Sequence, residues 1–148
     1  MGYEFLDHTA DVKFRASGKS VDEVFEEAGN ALIQTIKGGV DVKASLLKQI
    51  SVHGDDLENL LYNFLEEFLF LLDAENFIGV DIKMIKVDEK NLSLIAELLG
   101  DYVQNYDDFS NGVKAITYSD MSVKKIGKKG DGSRSDGDDW EAVGVFDV

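Results

Sequence analysis

Residues 54–72 read GDDLENLLYNFLEEFLFLL, and this stretch decides how the rest of the chain can fold. Its apolar residues recur at spacings of three and four, which predicts a helix with one wide apolar face. They are Leu57, Leu60, Leu61, Phe64, Leu65, Phe68, Leu69 and Leu72. Asp55 or Asp56 is expected to cap the first turn. A face this wide needs other elements to cover it, so this helix is predicted to be deeply buried.

A second amphipathic helix is predicted upstream. Ser20 and Glu23 have the spacing of a capping box, in which the hydroxyl oxygen and the carboxylate each accept a hydrogen bond from a free backbone amide at a helix start. The apolar residues that follow again recur at spacings of three and four, and Gly38 with Gly39 ends the pattern. They are Val21, Val24, Phe25, Ala28, Ala31, Leu32 and Ile36.

Seven segments around these helices have the composition and alternation of β-strands. They are residues 3–6, 11–17, 44–53, 77–88, 92–100, 113–124 and 140–147. Several links have hairpin length, such as the polar turn at 89–91. This order predicts an α+β fold, with a mainly antiparallel sheet and both helices packed on one face. We expect a single domain over 1–148, with a flexible loop at about 126–139, where glycine and charge replace apolar periodicity.

Charge and composition limit the classes of partner and the location that we expect for this protein. The chain has 29 acidic and 15 basic residues, a formal net charge of −14. Such a charge opposes stable direct binding to nucleic acid or to an anionic membrane, and it suits a cation or a basic protein partner. The absence of cysteine and of a leader-like start makes the cytoplasm the expected location. The longest apolar run is shorter than the ~20 residues of a membrane span, so we expect a soluble protein.

The stretch FLDHTADVKF, residues 5–14, concentrates donor atoms between two strands. Asp7, His8, Thr9 and Asp11 lie in five consecutive positions. Calcium and magnesium take several oxygen ligands, and a turn between the two aspartates would allow both to approach one ion. Aspartates in turns also commonly accept hydrogen bonds from their own backbone. Both interpretations stay open at this point.

The chain's last residues, VFDV, offer more carboxylates. Asp147 lies beside the main-chain carboxylate of Val148. If the last strand approaches Asp11, three carboxylates converge, and a divalent cation would relieve their repulsion. The alternative is a terminus that frays in water.

Two histidines and one lysine are further candidates. His8 is a potential nitrogen ligand, general base or structural donor, and we favour a bond from its ring to a backbone carbonyl. His53 has the features of a surface residue. Lys114 begins a strand that is otherwise apolar, where it would face a carboxylate cluster or a phosphate, or lie exposed at the strand end.

The loop beginning at Asp131 is not an EF-hand. Its sixth position is Asp136 instead of glycine, and its twelfth is Ala142 instead of glutamate. The lysines of KKIGKKG, residues 124–130, are mixed with aspartates further along, which is typical of a solvated loop.

The sequence resembles the archease family over nearly its full length. The resemblance is carried by FLDHTADVKFRASG, by the helix at 54–72, by VKAITYSDMSV at 113–123, and by the VFDV ending. It implies a small protein cofactor, not an enzyme. Its partner would be the RNA-splicing ligase that joins a cyclic-phosphate or phosphate end to a hydroxyl end in tRNA maturation. Archeases promote guanylylation of the ligase's active-site histidine and multiple turnover.

The resemblance also implies a set of site residues. A divalent cation, calcium in the family, would be bound by Asp11, Asp147 and the main-chain carboxylate of Val148. Lys114 matches a lysine of the family motif that is implicated in activity. Asp7 and His8 belong to the same DHTAD motif and are expected to be associated with activity.

Two other function classes compete with this one. A chaperone-like or RNA-modification accessory protein would use the acidic surface to bind clients. A metal-dependent hydrolase would use Asp7, Asp11 and His8 around an ion. The hydrolase hypothesis is weak because a few oxygen ligands do not make a catalytic site.

Overall fold

Seven strands and two α-helices form the part of the chain that the computed structural model describes, residues 1–6, 11–126 and 139–148. In chain order they are β1 Gly2–Leu6, β2 Asp11–Gly18, α1 Val21–Lys37, β3 Leu46–His53, α2 Leu57–Glu75, β4 Phe77–Asp88, β5 Ser93–Tyr102, β6 Ala115–Lys125 and β7 Trp140–Asp147. A short 3₁₀ turn, Val103–Asn105, follows β5. The predicted elements are therefore present, with ends that move by up to three residues.

Helix α1 begins and ends at the predicted residues. The Ser20 hydroxyl oxygen accepts a hydrogen bond from the Glu23 amide at 3.2 Å, and the Glu23 carboxylate accepts one from the Lys19 amide at 3.0 Å. Gly38 ends the helix with φ 57° and ψ −127°, a positive-φ conformation that glycine adopts without a steric penalty. Local sequence is therefore sufficient to set both ends of this helix.

Helix α2 is one turn longer than predicted. Asp56, not Asp55, is its N-cap, and the Asp56 carboxylate accepts a hydrogen bond from the Asn59 amide at 2.7 Å. The helix continues past Leu72 to Glu75 because Asn76, with φ 55°, supplies the left-handed cap. Asparagine is one of the few side chains that tolerate this conformation, so the true stop signal is Asn76.

The strands form two antiparallel sheets. The four-stranded sheet has the order β1-β2-β7-β6, and the three-stranded sheet has the order β3-β5-β4. Helix α1 contacts β2, β7 and β4, and α2 contacts β6, β4 and β3, so each helix packs against strands of both sheets. This confirms the predicted α+β class with antiparallel strands and two packed helices. The division of the strands into two sheets is not visible in the strand patterns.

One hydrophobic core joins both sheets and both helices. The buried rings of Phe14 and Phe146, from β2 and β7, stack with centroids 5.0 Å apart. Gly144 lies opposite Phe14, and a Cβ at Gly144 would come within 2.6 Å of the Phe14 ring. Burying one such side chain stabilises the fold by about 1.5–3 kcal/mol. The β2–β7 pair is therefore fixed from the core side.

Asp101 is a buried carboxylate with several internal donors. It accepts hydrogen bonds from the Tyr106 hydroxyl at 2.7 Å, the Tyr102 amide at 2.8 Å and the Asn105 side chain at 3.1 Å. These hydrogen bonds lower the pKa of Asp101, and the bond from Tyr106 contributes most. The Tyr106 oxygen in turn accepts a hydrogen bond from the Lys43 amide at 2.9 Å. This cluster ties the end of β5 to the segment that enters β3.

Most of the loop predicted at 126–139 lies outside the described residues. Its two ends are described: the Ile126 amide donates to the Asp139 carbonyl at 2.7 Å, and the Asp139 amide donates to the Gly18 carbonyl at 3.0 Å.

Neither helix in the described part of the chain has the length and apolarity needed to span a membrane.

Candidate functional site

Asp11 and Asp147 lie directly opposite each other in the four-stranded sheet. Asp11 is the first residue of β2, Asp147 is the last residue of β7, and the antiparallel register pairs them. Directly opposed residues project from the same face of a sheet, with Cβ atoms about 4.5–5.5 Å apart. The register therefore brings together two carboxylates from opposite ends of the chain, which is one of the two alternatives that the sequence left open.

The alternation along β2 determines which face carries this carboxylate pair. Phe14 and Ala16 are fully buried, so they face the helices. Asp11, Lys13 and Arg15 occupy the alternate positions and therefore lie on the opposite, outer face. The Asp11–Asp147 pair accordingly lies on the sheet face opposite the helices, where both residues are half-buried.

Lys114 and Val148 flank Asp147. The Lys114 amide donates a hydrogen bond to the Asp147 carbonyl at 2.7 Å, and Lys114 itself is exposed, one residue before β6 begins. Ala115, the first residue of β6, pairs with Asp147 on the side away from Asp11 and adds little bulk there. Val148 follows β7 and is 40% exposed. Lys114 therefore precedes the observed strand β6 instead of starting it, while its backbone remains next to Asp147.

Asp7 and His8 lie outside the described residues. Within residues 1–6, 11–126 and 139–148, no three side chains of the types histidine, cysteine, aspartate and glutamate are clustered closely enough to bind a metal ion. The described part of the candidate site therefore consists of two carboxylate side chains with the exposed end of β7. His53, assigned to the surface from sequence, is exposed.

The outer face beyond the pair carries ion pairs. The Lys13 Nζ lies 3.3 Å from an Asp120 carboxylate oxygen. Arg15 lies between two acids, 3.8 Å from the Glu4 carboxylate and 3.6 Å from the Glu141 carboxylate. These basic side chains are thus already matched with acids of the same surface, which does not favour phosphate binding there.

Asp120 belongs to an irregular part of β6. Thr117 pairs with Val145 and Ser122 pairs with Val143, so residues 118–121 bulge out opposite one residue of β7. Tyr118 in this bulge stacks on Tyr62 of α2, with ring centroids 4.2 Å apart. The Tyr118 hydroxyl also accepts a hydrogen bond from the Asn59 side chain. Contacts with α2 therefore fix the bulge.

Sequence reasoning did not select Lys13 or Asp120. The alternation in β2 contained a usable signal for Lys13, because it places Lys13 on the same face as Asp11. No equivalent signal exists for Asp120, because a bulge breaks the alternation from which its direction would be read.

An apolar groove lies beside Asp11, between the β1–β2 end and the C-terminal part of α1. Its lining residues are Phe5, Leu6, Asp11, Val12, Gln34 and Thr35. Phe5 is 47% exposed at this groove, which is high for a phenylalanine. Among the described residues, Asp11 is therefore the acidic member of a largely apolar lining.

Comparison with known proteins identifies the family. A model of the archease protein family (MTH1598/TM1083) matches residues 3–148. The chain belongs to the archease family. Among archeases, the protein of Methanosarcina barkeri is 32% identical over 152 residues, which cover 99% of this chain and 95% of that protein. The archease of Pyrococcus abyssi is 37% identical, covering 84% of this chain and 89% of its own.

The archease relationship extends to eukaryotes and to a solved structure. An archease-like protein of Drosophila melanogaster is 38% identical over 83% of this chain and 80% of its own. The solution structure of Methanobacterium thermoautotrophicum protein 1598 superposes with a TM-score of 0.74 at 28% identity, over 99% of both chains. The structural match therefore includes both the strand that carries Asp11 and the strand that carries Asp147.

Proposed function

We propose that this archease-family chain is a non-enzymatic activator of the tRNA-splicing RNA ligase in the cytoplasm. In this proposal it promotes guanylylation of the ligase's active-site histidine and allows the ligase multiple turnover. Family membership supports the assignment. The observation that carries it is the β2–β7 register, because it pairs Asp11, the last residue of the DHTAD motif, with Asp147 at the end of the last strand.

The proposal includes a bound divalent cation, with calcium as the expected ion. The donor set fits a hard cation, because carboxylate oxygens are the ligands that calcium prefers. Like charges placed directly opposite each other in a sheet destabilise it, and a cation between Asp11 and Asp147 would remove that cost. The main-chain carboxylate of Val148 is the proposed third ligand, and Asp7 is proposed to be associated with activity. When bound, the ion would neutralise the carboxylates and present a positive charge at this end of the sheet.

The partner is proposed from charge as well as from family. A net charge of −14 disfavours contact with RNA phosphates and favours approach to a basic protein surface. The exposed Lys114, next to Asp147, would contact the ligase or its nucleotide. His8 is assigned a supporting role in the DHTAD turn, donating to a neighbouring carbonyl.

The activation experiment uses the cognate ligase with RNA substrate in excess. We expect the wild-type chain to increase both the guanylylated fraction of the ligase and the number of turnovers. Asp11→Ala and Lys114→Ala are expected to lose most of this effect. Asp73→Ala is the matched control, because it removes one exposed carboxylate from α2, away from the site.

Two outcomes would overturn the activator proposal. One is unchanged guanylylation and turnover on addition of the wild-type chain. The other is an Asp11→Ala variant that activates as well as Asp73→Ala does. Suppression of aggregation of unrelated clients, independent of both carboxylates, would instead support the chaperone-like alternative.

Cation binding is tested separately by calorimetry with calcium and with magnesium. We expect one site whose affinity falls at least about tenfold in Asp11→Asn, because one of few charged ligands is lost. A short C-terminal extension moves the main-chain carboxylate away from Asp147 and should weaken binding as well. Equal affinity with and without the extension would remove Val148 from the ligand set.

A further inference from the structure

Lys13 lies one row along the sheet from the Asp11–Asp147 pair. It is two residues from Asp11 on β2, and it is the diagonal neighbour of Asp147, because it pairs with Val145. Two residues along a strand span about 6.8 Å, and diagonal neighbours are about 7–8 Å apart, within reach of a long side chain. The Lys13 side chain is thus long enough for its ammonium group to reach either carboxylate of the pair.

The ammonium is bound to a different acid in the structure. The Lys13 Nζ both hydrogen-bonds and ion-pairs with Asp120, at 3.3 Å. The Lys13 side chain is 24% exposed and that of Asp120 is 56% exposed. Asp120 therefore binds Lys13 from the solvent side of the sheet.

The backbone conformation of Asp120 is unusual, and neighbouring contacts hold it in place. Asp120 has φ 56°, a left-handed conformation that is uncommon outside glycine. The bulge begins at Thr117, whose hydroxyl donates to the Val145 carbonyl at 3.1 Å and accepts from the Ser119 amide at 3.2 Å. With the stack of Tyr118 on α2, these contacts hold Asp120 over the β7 strand, where it meets Lys13.

We infer that Asp120 is a positioning residue: it holds the Lys13 ammonium away from Asp11 and Asp147, and so sets the affinity of that pair for a divalent cation. Without Asp120, the ammonium would neutralise the pair and act as an internal competitor that the cation has to displace. This inference rests on the cation binding included in the proposed function.

The test is a double-mutant cycle read by calcium calorimetry at 0.15 M salt, with wild type, D120N, K13M and K13M/D120N. In the wild-type background, D120N should weaken calcium binding about three- to fivefold. This is the size expected when calcium has to displace an exposed ion pair between Lys13 and the two carboxylates. In the K13M background, D120N should weaken calcium binding by less than about twofold. Only the through-space attraction of the Asp120 charge is then lost, and that charge is about a Debye length from the ion. This difference between backgrounds is specific to competition, because through-space attraction acts equally in both.

Two controls keep the cycle interpretable. Asparagine tolerates the left-handed conformation at position 120, so D120N should retain the wild-type Tm. K124M is the matched charge control, because Lys124 lies on the same sheet near Glu141, at the far end from Asp147. The full effect of D120N should persist in the K124M background.

The outcomes separate the inference from the proposed function. Calcium binding by wild type, with D120N effects that are equal in the wild-type and K13M backgrounds, overturns only the role of Asp120. Absence of calcium binding by the wild-type chain overturns both the cation site and the inference. A D120N effect that disappears in K13M and persists in K124M supports the competition.

Discussion

Asp101 and the Asp11–Asp147 pair all lie at strand ends, but their surroundings differ. The Asp101 carboxylate is buried and accepts hydrogen bonds from Tyr102, Asn105 and Tyr106. Asp11 and Asp147 are directly opposed across two strands, and like charges in such an arrangement destabilise a sheet. A carboxylate surrounded by protein donors stabilises the fold, whereas two directly opposed carboxylates are the basis of the cation site that we propose.

The largest expected effect concerns Asp101. Replacing it with alanine leaves the hydroxyl of the half-buried Tyr106 without its acceptor, and this loss costs more than a surface change. We expect Asp101→Ala to lower the Tm more than any other variant proposed for this chain. Thermal unfolding followed by circular dichroism measures the difference, and a Tm equal to wild type would contradict the structural role.

The same residue predicts a pH dependence. Since the pKa of Asp101 is lowered by folding, its contribution to stability is present above the unfolded value of about 3.9 and is lost as the pH falls through the folded value. Wild type should therefore lose urea resistance more steeply than Asp101→Asn as the pH falls from about 5 to below 4. Parallel pH profiles for the two proteins would show that the hydrogen bonds do not favour the charged form.

The next effect is stabilisation by calcium. At a free concentration of one hundred times its Kd, a ligand that binds only the folded state stabilises that state by about 2.7 kcal/mol. We expect this gain for wild type and for Asp73→Ala, and at most about half of it for Asp11→Asn at the same calcium concentration, because its affinity is at least about tenfold lower. Chemical denaturation with calcium and with chelator gives the comparison. A similar gain in Asp11→Asn would place the ion elsewhere.

A smaller effect of opposite sign is expected at Asp147. In the presence of chelator, Asp147→Asn removes the repulsion of two directly opposed charges, which is worth about 0.2–1 kcal/mol. The variant should therefore be slightly more stable than wild type without divalent ions and less stable with calcium. If Asp147→Asn were destabilising in both conditions, as expected for Asp101→Ala, the contrast between the two regions would be wrong.

The smallest effect concerns Glu67 on α2. Burial, followed by the nearby charges of Glu66 and Glu75, raises the pKa of Glu67. The charged form is therefore disfavoured in the folded state, and Glu67→Gln should be more stable than wild type at pH 7 by about 0.5 kcal/mol or less. The advantage should disappear below about pH 4, where the wild-type glutamate is protonated. Urea midpoints at the two pH values test this sign.

Much of the local structure could be predicted because its causes are local. The Ser20 and Asp56 caps, the glycine that ends α1 and the apolar faces of both helices are all encoded within a few residues. Alternation in β2 identified its two faces. The end of α2 was placed too early because Asn76, a weaker stop signal than glycine, was not recognised.

The candidate site could be predicted only in part. The DHTAD and VFDV motifs pointed to Asp11 and Asp147 through family resemblance, and the structure places these two residues opposite each other. Their role as metal ligands stays a prediction, as do the roles of Asp7, His8, Lys114 and Val148. The contact of Lys13 with Asp120 could not have been found, because it depends on a bulge in β6.

The sequence by itself determined the helices, the strand segments, the acidic charge and the archease relationship, since these depend on neighbouring residues and on motifs. Only the tertiary structure decided the division into two sheets and the pairing of β2 with β7. Register between distant strands is set by which apolar faces can be buried together, here Phe14 against Phe146 with Gly144 leaving room for the ring. Asp11 and Asp147 are neighbours because that core packing aligns their strands.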